Sequence, residues 1–211
     1  MDFPSIEFLR FDTRAMTALP DESTENVHRW LTSEEDLVLL NLCRVAPDVP
    51  ASLDNLDALR AGYRSAVTAQ GAALIEAEVV DADSCRAIWL IVRVNRKPRG
   101  TIYLASLTLP FRDFSLVLRA QCEEHGITGV REAVLLDELL THSDGMEGWV
   151  ADLYDPNLRT PPFRNISEDE KYDTRFPQHP LSRVRRLMRH LQSTLVVAAE
   201  VKAAAPFSPA G

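Results

Sequence analysis

Ligand-type side chains crowd closest in Cys122-Glu123-Glu124-His125. A structural zinc site takes four ligands, with Cys and His arriving in closely spaced pairs. No second Cys/His pair at that spacing exists in this sequence. The expectation is therefore an inward Cys at a strand end followed by a turn, with no metal bound. Cys43 and Cys85 have no obvious His partner, so a thiol nucleophile is not expected either. The five histidines, His28, His125, His142, His179 and His190, are scattered over loops and helix surfaces. His142 with Asp144 and Glu147 comes nearest to an acid–base set, and it sits in a glycine-containing loop. There is no G-x-S-x-G, no Walker-type loop and no G-x-G-x-x-G. The sequence thus assigns no catalytic residue and no cofactor, and the expectation is a protein that is not an enzyme.

One charged patch stands out. Arg183, Arg185, Arg186 and Arg189 share the polar side of a C-terminal helical stripe. Guanidinium forks favour carboxylates and phosphates, so Arg183, Arg186 and Arg189 are the residues with which an acidic partner would be gripped. The competing account is pairing within the chain, to the acidic stretch 168–173 just upstream. A formal net charge of −8 favours that second account. The same charge argues against nucleic acid and against anionic membranes. Three cysteines are too few and odd in number for a disulfide framework. The N-terminus lacks a signal-peptide pattern and no apolar run is long enough to span a bilayer, so a reduced, cytoplasmic protein is expected.

Such side chains need a scaffold, and its clearest part is 87–141. Three β-type runs, 87–97, 101–109 and 115–122, precede a helix over 128–140, and Pro98-Arg99-Gly100 is a hairpin turn between the first two. Upstream the pattern predicts a short strand over 5–11, irregular chain over 12–26 and an acidic turn over 32–36. A strand over 37–45 follows, with Leu37, Leu39 and Cys43 on one face and Val38, Leu40 and Leu42 on the other. Apolar on both faces, it is expected to be central or covered on both sides. A helix with Asp54 as N-cap carries Leu56, Leu59, Tyr63 and Val67 at helical spacing and stops near Gly71. The strand over 73–80 turns Glu76 and Glu78 towards water. The fold class is therefore α+β: an antiparallel sheet with helices packed on it. Residues 1–142 form the domain, 143–179 a Pro-rich wrapping segment, 180–203 one long amphipathic helix and 204–211 a disordered tail. The two earlier helices are expected to cover one face of the sheet, and the last helix to act as a lid on the other.

The stretch Gly100-Thr101-Ile102-Tyr103, with Leu107-Thr108-Leu109-Pro110-Phe111 and then Gly129-Val130-Arg131-Glu132-Ala133, resembles bacterial members of the PsbP-like group. The order of elements over residues 5–142 resembles it too. The group is named after an extrinsic subunit of photosystem II and includes a Ran-binding nuclear-import factor and DcrB-like proteins. The resemblance implies a non-catalytic protein-binding module: a chaperone, an adaptor or an immunity-type partner of another protein. No position matches a binding motif of the group, so it transfers no site residue, and the segment 149–201 departs from its minimal fold. The alternative kept open is a small-molecule-binding domain or hydrolase-type enzyme, with a pocket between the sheet and the C-terminal segment.

Overall fold

A computed structural model describes residues 4–96, 100–142, 145–158 and 161–209. In chain order its elements are β1 (Leu9–Arg10), β2 (Met16–Ala18), β3 (Val27–Thr32), β4 (Leu37–Cys43) and α1 (Leu56–Ala69). Then come β5 (Ala73–Ala82), β6 (Cys85–Asn95), β7 (Thr101–Pro110), β8 (Ser115–Glu123) and α2 (Val130–His142). The C-terminal part adds α3 (Pro180–Ser193), β9 (Val196–Val197) and α4 (Ala199–Lys202). Seven strands make one sheet in the order β2-β3-β4-β8-β7-β6-β5, and every pairing in it is antiparallel.

The central meander follows from period-two alternation. Arg93 pairs with Tyr103 and Val94 with Ile102 across the β6–β7 hairpin, and Leu118 lies between Leu107 and Leu40. The Pro98-Arg99 part of the expected turn lies outside the described residues. Gly100 has φ +95°, a backbone that suits glycine.

Several expectations need correction. The segment 5–11 is mostly a 3₁₀ turn, Ile6–Phe8, capped by the Ser5 hydroxyl, and only Leu9–Arg10 is extended, paired with β9. The stretch 12–26 contains β2, and Trp30 and Leu31 lie inside a strand rather than ahead of a turn. Asn55, not Asp54, caps α1: its side-chain oxygen accepts from the Ala58 N–H at 3.1 Å. Asp54 instead binds Arg86. Glu76 does not face water, because a bulge between Leu74 and Glu76 turns it to the Trp89 indole N–H, 2.9 Å, and to Arg185, 2.6 Å.

The C-terminal helix is short. α3 ends at Ser193, where Thr194 and the β-branched pair Val196-Val197 leave helical geometry. Leu195 and Val197 are buried, and β9 ties the chain to β1 before the four-residue α4. Beyond it, Pro206 bridges to Phe111 and the Arg112 N–H donates to the Ala205 carbonyl.

The core lies under α3. Leu181, Val184, Met188 and Leu191 are fully buried against Tyr103, Ala105 and Leu107 of β7 and Leu116, Leu118 and Ala120 of β8. The two earlier helices do not share the other face. α1 rests on β5 at one edge of it, with Val67 packed near Leu74, Ala77 and Val92. α2 goes elsewhere, beside the 3₁₀ turn Ile166–Glu168 next to α3.

Candidate functional site

Between the α3 side of the sheet and the wrapping segment lies a buried ionic network. Arg185 is 1% exposed; it donates to Glu76, to Asp173 at 2.9 Å and to the Glu168 carbonyl at 2.7 Å. Arg131, as deeply buried, donates to the Ser167 and Asp169 carbonyls, to Asp173 and to the Ser182 hydroxyl. The Glu168 carboxylate, fully buried, receives Arg93, the Tyr103 hydroxyl and the Asn165 N–H, each between 2.8 and 2.9 Å. Burial, with the Glu168 charge beside it, pushes the Tyr103 phenol well above its ordinary pKa. These groups satisfy one another, and their work is to hold 164–185 onto the sheet.

The arginines singled out in the sequence are placed as follows. Arg183 is buried and grips Asp36 through Nε, 3.1 Å, and Nη2, 2.8 Å. Arg186 pairs with Glu34 at 3.0 Å and Arg189 with Glu170 at 2.6 Å, both at the surface. Pairing with the upstream acidic stretch thus describes Arg185 and Arg189, while Arg183 and Arg186 reach carboxylates about 150 residues away. His142 Nδ1 lies 2.7 Å from the Glu138 carbonyl oxygen, which can only accept, so Nδ1–H donates there; Asp144 lies outside the described residues. Cys122 is fully buried, and burial, then the Asp36 charge, raise its thiol pKa.

The opposite face of the sheet is open over β4, β8 and β7. Leu37 and Leu39 stand there across from Gln121 and Arg119, beside Leu104, Leu90 and Val92, and line a hollow of about 390 Å³. A second hollow of about 350 Å³ shares Leu90, Ser106 and Arg119 and continues past Cys43 to Tyr63. Together they form a trough across the strands. Arg119 is exposed in it, and its guanidinium has no partner among the described residues. On the same face the Asn41 side-chain amide nitrogen is buried without a hydrogen bond. Burial, then the Asp48 charge, push the Tyr63 phenol up to about 12.

A third hollow, about 480 Å³, opens where the end of β8, the start of α2 and the start of α3 meet. Glu124, Glu132 and His179 bring one ligand-type atom each to within 4.8 Å of one another there. Burial raises the Glu132 carboxyl, but the neighbouring His179, a backbone N–H and the Arg131 charge together outweigh it, and its pKa is lowered. Sequence reading missed this set because its members lie on three separate segments. It missed the trough because alternating leucines on β4 look the same whether covered or bare.

No family model matches the chain, and no curated protein is similar enough to be reported as a relative. Among the described residues, no helix is long and apolar enough to cross a membrane.

Proposed function

We propose that this chain is a non-catalytic protein-binding module that receives an apolar segment of another protein in the open trough of its sheet. The observation that carries the reading is the trough itself: Leu37, Leu39, Leu90 and Leu104 left half-exposed over the buried Val92, with an arginine unpaired among the described residues beside them. Apolar patches of this kind mark interaction surfaces on soluble proteins. Arg119 selects for an acidic side chain within the arriving segment, because a guanidinium fork in apolar surroundings is satisfied best by a carboxylate. A chaperone or adaptor role fits this surface, and it is the role that the resemblance to PsbP-like proteins implies. On this reading the sheet and its helices are a PsbP-like core with the C-terminal segment added to close one face.

A second reading is a small-molecule or hydrolase-type site between the sheet and the C-terminal segment. The hollow beside α2 and α3 favours it, although the described residues lining that hollow include no Ser, Thr, Cys or Lys to act as a nucleophile.

Purification of the tagged full chain from its native host, followed by mass spectrometry, separates the two. The first reading expects a stoichiometric protein partner that Leu104→Asp abolishes and the surface change Arg189→Ala leaves in place. Recovery of no partner, or of one indifferent to Leu104→Asp, overturns it.

A further inference from the structure

We propose that Glu124, Glu132 and His179 form a three-ligand site for a divalent transition cation of the zinc class. The site lies in a different region from the trough, and the argument for it does not depend on the protein-binding reading.

The geometry is specific. His179 Nε2 lies 3.4 Å from Glu132 Oε1. That is too long for a good N–H···O hydrogen bond, which spans roughly 2.7–3.2 Å. Two ligand atoms each held about 2.0–2.2 Å from one tetrahedral ion sit roughly 3.3–3.6 Å apart. The spacing thus suits a shared ion better than a direct bond. Two polar atoms of this pair, His179 Nε2 and Glu132 Oε2, are also buried without a hydrogen-bond partner, and the His179 side chain is only 6% exposed. Buried polar groups are seldom left so, and an ion between them would satisfy both. Glu124 supplies the third position. Its Oε1 accepts the Gly129 N–H at 2.8 Å, which orients the carboxylate at the entry to α2 as an outer-shell bond does in metal sites.

The surroundings keep the donor set in the form that a metal needs. Glu132 lies in the first turn of α2, where the positive helix end favours a carboxylate over a carboxylic acid. The cations nearest by are already committed elsewhere, Arg131 to Asp173 and Arg183 to Asp36. One imidazole and two carboxylates leave a fourth position, and because Glu124 and His179 line the 480 Å³ hollow, water or a ligand atom can approach from that side. The mixed N/O set suits zinc and its neighbours better than calcium or magnesium, which prefer oxygen alone. Binding carries one structural consequence. His179 caps α3, its Nδ1 accepting the Leu181 N–H at 3.3 Å. Ligation through Nε2 moves the ring proton to Nδ1, so that long cap is given up.

The test uses the full chain, stripped of metal with a chelator and titrated with Zn²⁺ by calorimetry and with Co²⁺ by visible absorption. One saturable equivalent per chain is expected, with weak visible Co²⁺ bands and no intense thiolate charge-transfer band. Glu124→Gln, Glu132→Gln and His179→Asn should each weaken binding at least about tenfold. His179→Asn is chosen because Asn is itself a good N-cap, so the metal-free variant keeps its helix and its melting midpoint. No saturable binding by the wild-type chain overturns the proposal. So does binding that all three variants retain, or a Co²⁺ spectrum that reports thiolate ligands.

Discussion

Leu39 and Leu40 are neighbours on β4 and face opposite sides of the sheet. Leu40 is 2% exposed beneath α3, in a core sealed by Leu181, Val184, Met188 and Leu191. Leu39 lies half-buried in the trough. The arginines of the two sides differ in the same way. Arg185 is held by Glu76, Asp173 and a carbonyl, whereas Arg119 has no partner for its guanidinium among the described residues. The strands themselves do not create this contrast, since both faces carry leucine, valine and isoleucine. It arises from what the chain lays over them. The C-terminal segment returns to one face with an apolar helix and pins it with ion pairs. Among the described residues, the other face receives α1 at the β5 edge and Tyr154 beside it, packed near Leu90 and Leu104. One side is closed, and the other is left open.

The largest effect should come from unpinning the closed side. Arg185→Ala leaves Glu76 without a cation in a buried site and Asp173 with Arg131 alone, and losing one partner of a buried pair costs about 3–5 kcal/mol. Urea denaturation monitored by circular dichroism should show that loss. A cost below about 1 kcal/mol would mean that the network is solvated and the closed face is not sealed.

The paired leucines come next. Leu40→Ala should cost about 2–5 kcal/mol, as large-to-small changes in a packed core do. Leu39→Ala, one residue away, removes contacts that are already partly wet and should cost about 1 kcal/mol or less. Equal costs in denaturant would show that the trough side is as well covered as the α3 side, and the contrast between the faces would collapse.

Much of the closed side was legible in the sequence. The alternation of β6, β7 and β8 set their pairing, and the stripe Leu181, Val184, Leu187, Met188, Leu191 and Leu195 announced a helix with an apolar side; all of these but Leu187 are buried. What escaped was decided by long-range partners. The residues Val27-His28-Arg29-Trp30-Leu31-Thr32 mix polar and apolar side chains on each face, and β3 is half-buried throughout, so no clean period marked it. Glu76 looked wet because alternation says nothing of a bulge or of an arginine 109 residues later. The helix after Pro180 looked long because Val196, Val197 and Val201 continue an apolar pattern, although the first two pair with or flank a strand at the opposite end of the chain. The ligand-type trio escaped for the same reason: Glu124, Glu132 and His179 follow no local spacing that links them. Coverage of a face is likewise a property of the whole topology, so Leu37 and Leu39 could not declare themselves bare.

The smallest effect on stability is the sharpest probe of the open side. Arg119 pairs across β8–β4 with Leu39 and across β8–β7 with Ser106, so its position is fixed by the ladder, not by any bond of its guanidinium. Its charge contributes no ion pair to the fold, and its stem covers only a little of the neighbouring leucines. Arg119→Ala should therefore shift the unfolding free energy by no more than about 0.5 kcal/mol, as for surface positions free of special contacts. The same substitution removes the positive charge that stands beside Leu39 and Leu104 in the first hollow. Stability and partner capture should then separate: the variant folds like the wild type and retains less partner. A loss of stability comparable to that of Arg185→Ala would show that Arg119 serves the fold after all. An unchanged partner yield would place recognition away from the trough.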